Sequence, residues 1–393
     1  MLEPREAVPR ERLLVSTVRT PEELAALAGE WTQLHERARL ALPFALPEWL
    51  ATWWETFRQD HRLIRDSLHI KVVRHGSGEL AGVIPLMLTE RPSFGPLRVR
   101  ALSFLGADEY ITEQRVALVD PNSEAEVARA LAAHLFAEDT WDWIMWEGLD
   151  PKSAFATTLQ AVMPLRWGHT ETGNVLHLPP TWAEFKTGLK RNIKESLRRC
   201  YNSLKRDGLT PRLVVAETAE DVQKGLDRFF ALHAMRADQT DGIAHRNRFE
   251  GERAQTFLRT VCARLSKRGV PRVFTLHIGD AVVACRIGFM LPDCLYLYYS
   301  GFDPAWGKYS VMTTTVAEAI NYAIDQGLPR VHLSMGMDVA KARWGPETPA
   351  FTQALSVRAN LYSRSAAKLY TWAQEHREVV HNLAGILPKR RFD

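Results

Sequence analysis

Apolar and polar residues alternate along this chain with two periods, and the switches between them outline its elements. PEELAALAGEWTQLHERA, residues 21 to 38, carries apolar positions at helical spacing behind Thr20. With Pro21 and Glu23, that threonine predicts a capping box. PEWLATWWETF predicts a second helix, and LHIKVVRHG and LAGVIPLML alternate as two strands around a turn at Gly76 to Gly78. LRVRALSFLG and QRVALVD read as two more strands separated by the polar ADEYITE. EAEVARALAAHLFAE comes next as a helix and DWIMWEGL as a strand. The first half is therefore α/β.

HTETGNVLHLPPTW reads as a crossover, with Pro179 and Pro180 stopping a strand and Thr181 capping the next helix, which places a boundary near residue 175. FKTGLKRNIKESLRRCYNSLKRDG then predicts one long helix. Its apolar positions are Phe185, Leu189, Ile193, Leu197, Tyr201 and Leu204, its end is Gly208, and its other face is basic. AEDVQKGLDRFFALHAMRADQ and ERAQTFLRTVCARLSKRG are two further helices, the second closed by Gly269. PRVFTLHIG, AVVACRIGFML and CLYLYYSGF predict a three-stranded antiparallel meander. A helix over residues 310–326, capped by Ser310 and closed by Gly327, leads to the strands RVHLSM and FTQALSV, an amphipathic helix and a basic tail, PKRRFD.

A chain of 393 residues exceeds one ordinary core. Two domains are expected, residues 1–175 and 176–393. Apolar residues at 46% and charged residues at 24% describe a soluble globular protein. No run reaches the roughly 20 apolar residues of a membrane span, and the polar start does not read as a signal peptide, so a cytoplasmic location is expected. Eight of the twelve tryptophans precede residue 170, where packing is their expected role. Cys200, Cys262, Cys285 and Cys294 form no CxxC pair, which argues against disulfides and a thiolate zinc site and leaves buried free thiols. The formal charge of +4 is local: Phe185 to Arg206 holds eight Lys or Arg against one Glu.

At YYSGFDPAWGKYS, Gly301 and Gly307 flank the entry to a helix whose first amides attract phosphate, with Lys308, Tyr309 and Ser310 alongside. The segment misses a P-loop: five residues separate Gly301 from Gly307-Lys308, and Tyr309 replaces the magnesium-binding hydroxyl. HLSMG has His332 where a GxSxG elbow needs glycine, which speaks against a serine hydrolase.

CLYLYYSGFDPAWGKYSVMTTTVAEAINYAIDQGLPRVHLSMGMDVAKARWG resembles the closing half of the CelD/BioF2-like branch of the GNAT acetyltransferase superfamily, itself similar to FemABX peptidyltransferases. The likeness extends weakly through LKRNIKESLRR to PFALPEWLATWW. It implies an α/β (α+β) fold of two tandem GNAT-like domains, each a mixed, mostly antiparallel sheet flanked by helices and splayed open at its middle, with the donor site in the second. The family pattern G-D-x-x-Y-K-x-x-W-G is matched by Gly336, Asp338, Lys341, Trp344 and Gly345. The chain departs from it with Ala340 for the usual aromatic and Met337 before the aspartate. DPAWGKY also departs from the Q/R-x-x-G-x-G/A loop of simpler acetyltransferases.

The resemblance implies an N-acyltransferase working by direct attack of an amine, without metal. Acyl-CoA (acetyl-CoA or longer) is the first donor and aminoacyl-tRNA the second. The helix at Ser310, with Gly307, Lys308 and Tyr309, would meet donor phosphates, and Lys190, Arg191, Lys194 and Arg198 suit either the CoA 3′-phosphate or a tRNA backbone. Acyl transfer to an amine needs a base, an oxyanion stabiliser and an acid. Asp338, Lys341 and Tyr309 are the respective candidates. Asp108, Tyr110, His233, Arg236 and Arg343 are candidate acceptor contacts, the acceptor being a small molecule, peptide or saccharide. Two rivals stand beside this reading: a non-catalytic nucleic-acid binder acting through the basic helix, and a peripheral membrane protein resting on the helix around Leu369 and Trp372.

Overall fold

The computed structural model describes residues 13–93, 95, 98–108, 110–239 and 245–376; the basic tail lies outside them. The chain opens with β1 (Leu14–Val18), α1 (Pro21–Ala38) and α2 (Pro47–Phe57). Six strands come next: β2 (Asp60–His61), β3 (Ile64–Leu68), β4 (Ile70–Arg74), β5 (Leu80–Ile84), β6 (Leu86–Arg91) and β7 (Val99–Phe104). The first half continues with β8 (Leu118–Val119), α3 (Glu124–Ala137), β9 (Trp143–Leu149), α4 (Ala154–Val162), β10 (Arg166–Thr172) and β11 (Val175–His177). The second half begins with α5 (Trp182–Gly188), α6 (Arg191–Arg206), β12 (Pro211–Ala216), α7 (Ala219–Ala237) and α8 (Glu252–Ser266). The meander β13 (Pro271–Ile278), β14 (Ala281–Leu291) and β15 (Cys294–Phe302) leads to α9 (Val311–Asp325), β16 (Arg330–His332), α10 (Val339–Ala342), β17 (Ala350–Val357) and α11 (Leu361–Glu375).

These strands form three sheets, ordered β1-β4-β5-β8, β10-β17-β9-β7-β6-β3-β2 and β11-β16-β15-β14-β13-β12. Pairing is antiparallel except for β7 with β9 and β15 with β16, so the sheets are mixed and mostly antiparallel, as expected. Several elements differ from the sequence reading. LAGVIPLML is two strands, because Pro85 lacks an amide for the ladder and lets β5 and β6 join different sheets. The basic helix breaks at Leu189 and Lys190, both with extended backbone, into α5 and α6. β12 has no counterpart in the sequence pattern: it is an edge strand whose residues are mostly half-buried and show no alternation. β17 leaves the second half's sheet and pairs with β9 and β10, where Trp146 Nε1 donates to Ser356 Oγ at 2.9 Å.

The capping box forms as expected: Thr20 Oγ1 accepts from Glu23 N and the Glu23 carboxylate accepts from Thr20 N. All four cysteines are buried free thiols. Trp31, Trp49 and Trp53 are fully buried in a cluster that also takes Phe229, Phe257, Phe289 and Tyr298 from the second half. One hydrophobic cluster therefore spans the two halves, beside smaller clusters largely within each.

Away from that core, Lys71 of β4 is fully buried, and its ammonium donates to Thr17 Oγ1 at 2.8 Å and Glu138 Oε1 at 2.5 Å. Burial brings its pKa down to about 8, against the pull of Glu138. Removing one partner of such a pair leaves an uncompensated charge. Glu138→Gln is therefore expected to cost roughly 3 kcal/mol in urea unfolding, at the low end of the range for buried pairs. Lys71→Met, which removes the buried charge itself, is expected to cost less.

Candidate active site

The second-half sheet opens at one place. β15 and β16 run parallel for three pairs, ending at Tyr296 opposite His332, and then separate. Beyond the fork, Ser334 takes a left-handed backbone, φ 75°, unusual for a side chain with a Cβ and typical of functional turns. Its amide donates to His332 Nδ1 at 3.1 Å, and the His332 ring stacks on Tyr296 at 4.5 Å. Burial lowers the pKa of His332 to about 3, so the ring is neutral. Gly173 is obligatory beside it, since a Cβ there would lie 2.8 Å from His332 Nε2.

A loop from the first half closes the fork. Asp108 builds that loop: its carboxylate accepts from Trp53 Nε1 at 2.9 Å and from the amides of Tyr110, Ile111 and Thr112 at 2.5 to 3.1 Å. Asp108 therefore folds the segment and is not free to contact an acceptor. Tyr298 and Tyr299 tie the loop to β15 by donating to the carbonyls of Ile111 and Tyr110. This holds Glu113 at the parting of the strands. Its carboxylate accepts from Tyr296 Oη at 2.5 Å and from Ser334 Oγ at 2.8 Å. Removal from water raises its pKa, opposed by those hydroxyls and by the charges of Lys341 and Arg286.

Lys341 and Asp338 lie on the far lip. The Lys341 ammonium donates to the carbonyls of Met335 at 2.5 Å and Gly336 at 3.2 Å, and pairs with Asp338 at 3.6 Å. Asp338 is exposed and caps α10 by accepting from Lys341 N at 2.8 Å. The carboxylate at the fork itself is thus Glu113.

The start of α9 forms a second cluster. Arg343 Nη2 donates to Thr313 Oγ1 at 2.6 Å in the helix's first turn, while Arg343 Nε is buried without a partner among the described residues. Ser310 occupies the N-cap position with φ 53° and makes no side-chain cap, so this helix end keeps outward amides. A Cβ on Gly307 would meet only Phe302, at 4.0 Å, so glycine is not sterically required there. Tyr309 turns away from the fork, its hydroxyl donating to Asp207 at 2.8 Å, with Lys308 over its ring at 4.8 Å. Lys190, Arg191, Lys194 and Arg198 are exposed; Arg191 pairs with Glu195 at 2.7 Å and Lys194 donates to Thr187 O.

α7 lies directly on β15, because Gly301 has no Cβ; one built there would fall 2.4 Å from His233 N. His233 Nδ1 donates to Ser300 O at 2.9 Å and its Nε2 accepts from Arg248 N at 3.3 Å, which fixes a neutral tautomer. Arg236 donates to Ser300 Oγ at 3.1 Å. Tyr110 lies under the Arg248 guanidinium, 3.3 Å from it, and its hydroxyl accepts from Arg246.

Sequence reasoning does not reach Glu113, Tyr296, Arg248 and Arg286, and it weighs Ser334 only as the serine of a failed GxSxG elbow. Two of these leave a trace. Glu113 sits in the polar interruption ADEYITE, and Arg286 is the one charge inside the apolar run AVVACRIGFML. The partners of the others lie far off in sequence.

A mixed sheet that opens after a parallel pair, with a helix N-terminus beyond the opening, is a specific arrangement. Residues 191–342 match the acetyltransferase (GNAT) domain family. That stretch of the chain is a GNAT domain. Its fold is similar to that of FemX, with a TM-score of 0.58 at 12% identity over 86% of this chain and 96% of that one. It is also similar to a C-terminal domain assigned to a putative lysylphosphatidylglycerol synthetase of Agrobacterium fabrum, with a TM-score of 0.50 at 12% identity over 89% and 96%. No curated protein matches the sequence. Among the described residues, no helix is long and apolar enough to cross a membrane.

Proposed function

We propose that this GNAT protein transfers an acyl group from an acyl-CoA to an amine at the fork of β15 and β16, with Glu113 as the base. The observation that carries this reading is a carboxylate with raised proton affinity, held by two hydroxyls where the sheet opens. Glu113 takes a proton from the acceptor amine as its nitrogen joins the acyl carbon. The carbon–sulfur bond breaks and its electron pair leaves with sulfur. Tyr296 and Ser334 position the carboxylate, and the nearby Lys341 charge favours its ionised form. At the start of α9, the unpartnered Arg343 Nε and the outward amides suit a donor phosphate, which supports a donor site in the 176–393 part of the chain. Asp338 serves to cap α10 and hold Lys341 in this scheme, and Tyr309 serves to anchor the end of α6.

The test is release of coenzyme A from an acyl-CoA panel with amine acceptors, alongside thermal unfolding with each donor. A donor at 100 times its Kd is expected to stabilise the native state by about 2.7 kcal/mol. Arg343→Gln is expected to reduce that protection while the unliganded midpoint changes little. No protection by any acyl-CoA overturns the reading. The exposed basic face of α6 supports a second donor, an aminoacyl-tRNA, for which protection would fall steeply with salt.

A further inference from the structure

Beside the fork, on the face toward α7, three arginines gather without enough acceptors to satisfy them. Arg286 of β14 stands opposite Ser300 of β15, and Ser300 Oγ accepts from Arg236 of α7 at 3.1 Å. Arg248 borders that corner: its backbone amide donates to His233, which also bonds Ser300 O, and its guanidinium lies over Tyr110. Arg236 Nε, Arg248 Nη1 and Arg286 Nε are each buried with no hydrogen-bond partner among the described residues. Arg286 has one further long contact, to Leu297 O at 3.5 Å, and Arg236 otherwise leans on His245 at 2.8 Å.

Such a cluster is costly in the unliganded protein, because buried guanidinium groups repel one another and lose water. Burial lowers the proton affinity of both Arg236 and Arg286, the latter to a pKa of about 10, and the Arg236 charge adds to the lowering at Arg286. The carboxylates in electrostatic reach are already engaged: Glu113 by Tyr296 and Ser334, Asp338 by Lys341 and its own cap. An oxyanion that accepts from the three free N–H groups removes both the repulsion and the unmet hydrogen bonds, and guanidinium forks suit carboxylate and phosphate oxygens alike.

We propose that Arg236, Arg248 and Arg286 seat a carboxylate or phosphate of the acceptor, so that the acceptor is an amine that also carries an acidic group. The inference rests on the acyl-transfer reading for the word acceptor, but the anion seat is measurable without it. The amine faces Glu113 while the acidic group is held toward α7, which orients the nitrogen on the acyl carbon and selects against plain cationic amines.

The experiment is thermal unfolding of the full chain in saturating free coenzyme A, titrated with sodium phosphate or sodium citrate against sodium chloride of equal ionic strength. The expected result is a midpoint several degrees higher with one anion than with chloride, and loss of that increment in Arg286→Met and, separately, in Arg236→Gln. The anion that protects identifies the group, phosphate or carboxylate. Without anion, Arg286→Met is expected to melt at or above the wild-type midpoint, so its folding is not at risk, and Arg248→Gln supplies an independent reading. An increment that persists in these variants, or no increment over chloride in the wild type, overturns the proposal. Coenzyme A protection without anion protection sinks this inference alone; the reverse sinks the acyl-CoA reading and leaves the anion seat standing.

Discussion

Glu113→Gln is expected to lower kcat by about 10²- to 10⁴-fold, the usual contribution of a positioned general base, while protection by acyl-CoA is expected to be retained. Glutamine keeps an oxygen that can accept from Tyr296 and Ser334, so the geometry of the fork survives and only the proton acceptor is removed. The stability effect has the opposite sign. Burial raises the folded-state pKa of Glu113 above its unfolded value, so the folded protein holds that proton more tightly. This contribution is present at pH values below the unfolded pKa and is lost as pH rises through the folded one. Above the folded pKa the ionised carboxylate is thus a net cost, and there Glu113→Gln is expected to melt no lower than the wild type. The pH profile of kcat/KM in the wild type should fall on the acid side at a pH above the usual carboxylate range. An unchanged kcat in Glu113→Gln, measured at saturating donor and acceptor, would remove Glu113 from the mechanism.

Trp49→Ala is expected to destabilise the whole chain by roughly 3–5 kcal/mol, as for other buried tryptophans. Trp49 is fully buried, edge-on to Phe44 at 4.8 Å, Phe257 at 5.2 Å, Phe289 at 5.8 Å and Tyr298 at 5.9 Å, and its Nε1 donates to Thr112 Oγ1 at 3.1 Å. One side chain therefore joins α2, α8, β14, β15 and the loop that presents Glu113. Urea unfolding followed by tryptophan fluorescence and by far-UV circular dichroism should show a single coincident transition in the wild type. The variant should keep one transition, shifted to lower urea. Two separated transitions in the wild type would mean that the halves have independent cores, contrary to the shared cluster.

The local elements are legible because they are set by neighbours in sequence. Thr20, Pro21 and Glu23 cap α1, and Gly269 closes α8 with φ 63°, each by contacts within a few residues. The meander β13 to β15 is readable from alternation and two turns. The long basic helix misleads because periodic apolar residues continue across Leu189 and Lys190, where the backbone is extended and both segments still pack inward. Asp338 and Lys341 stand out as a spaced pair, and they do meet, but as a cap and an ion pair at the lip.

By itself, the sequence determined the α/β class, the order of most elements, the packing role of the early tryptophans, the basic face of α6 and the GNAT-like closing segment. Each of these depends on periodicity, capping or residue type over a short window. The tertiary structure alone decided that β17 joins the first half's seven-stranded sheet, that one hydrophobic cluster spans both halves, and that Glu113 meets Tyr296 and Ser334 across 183 and 221 residues. It also brought Arg236 and Arg286 together at Ser300. Such meetings are set by how sheets and helices pack, and a glutamate in a polar loop or an arginine in a strand carries no local mark of the partner it will face.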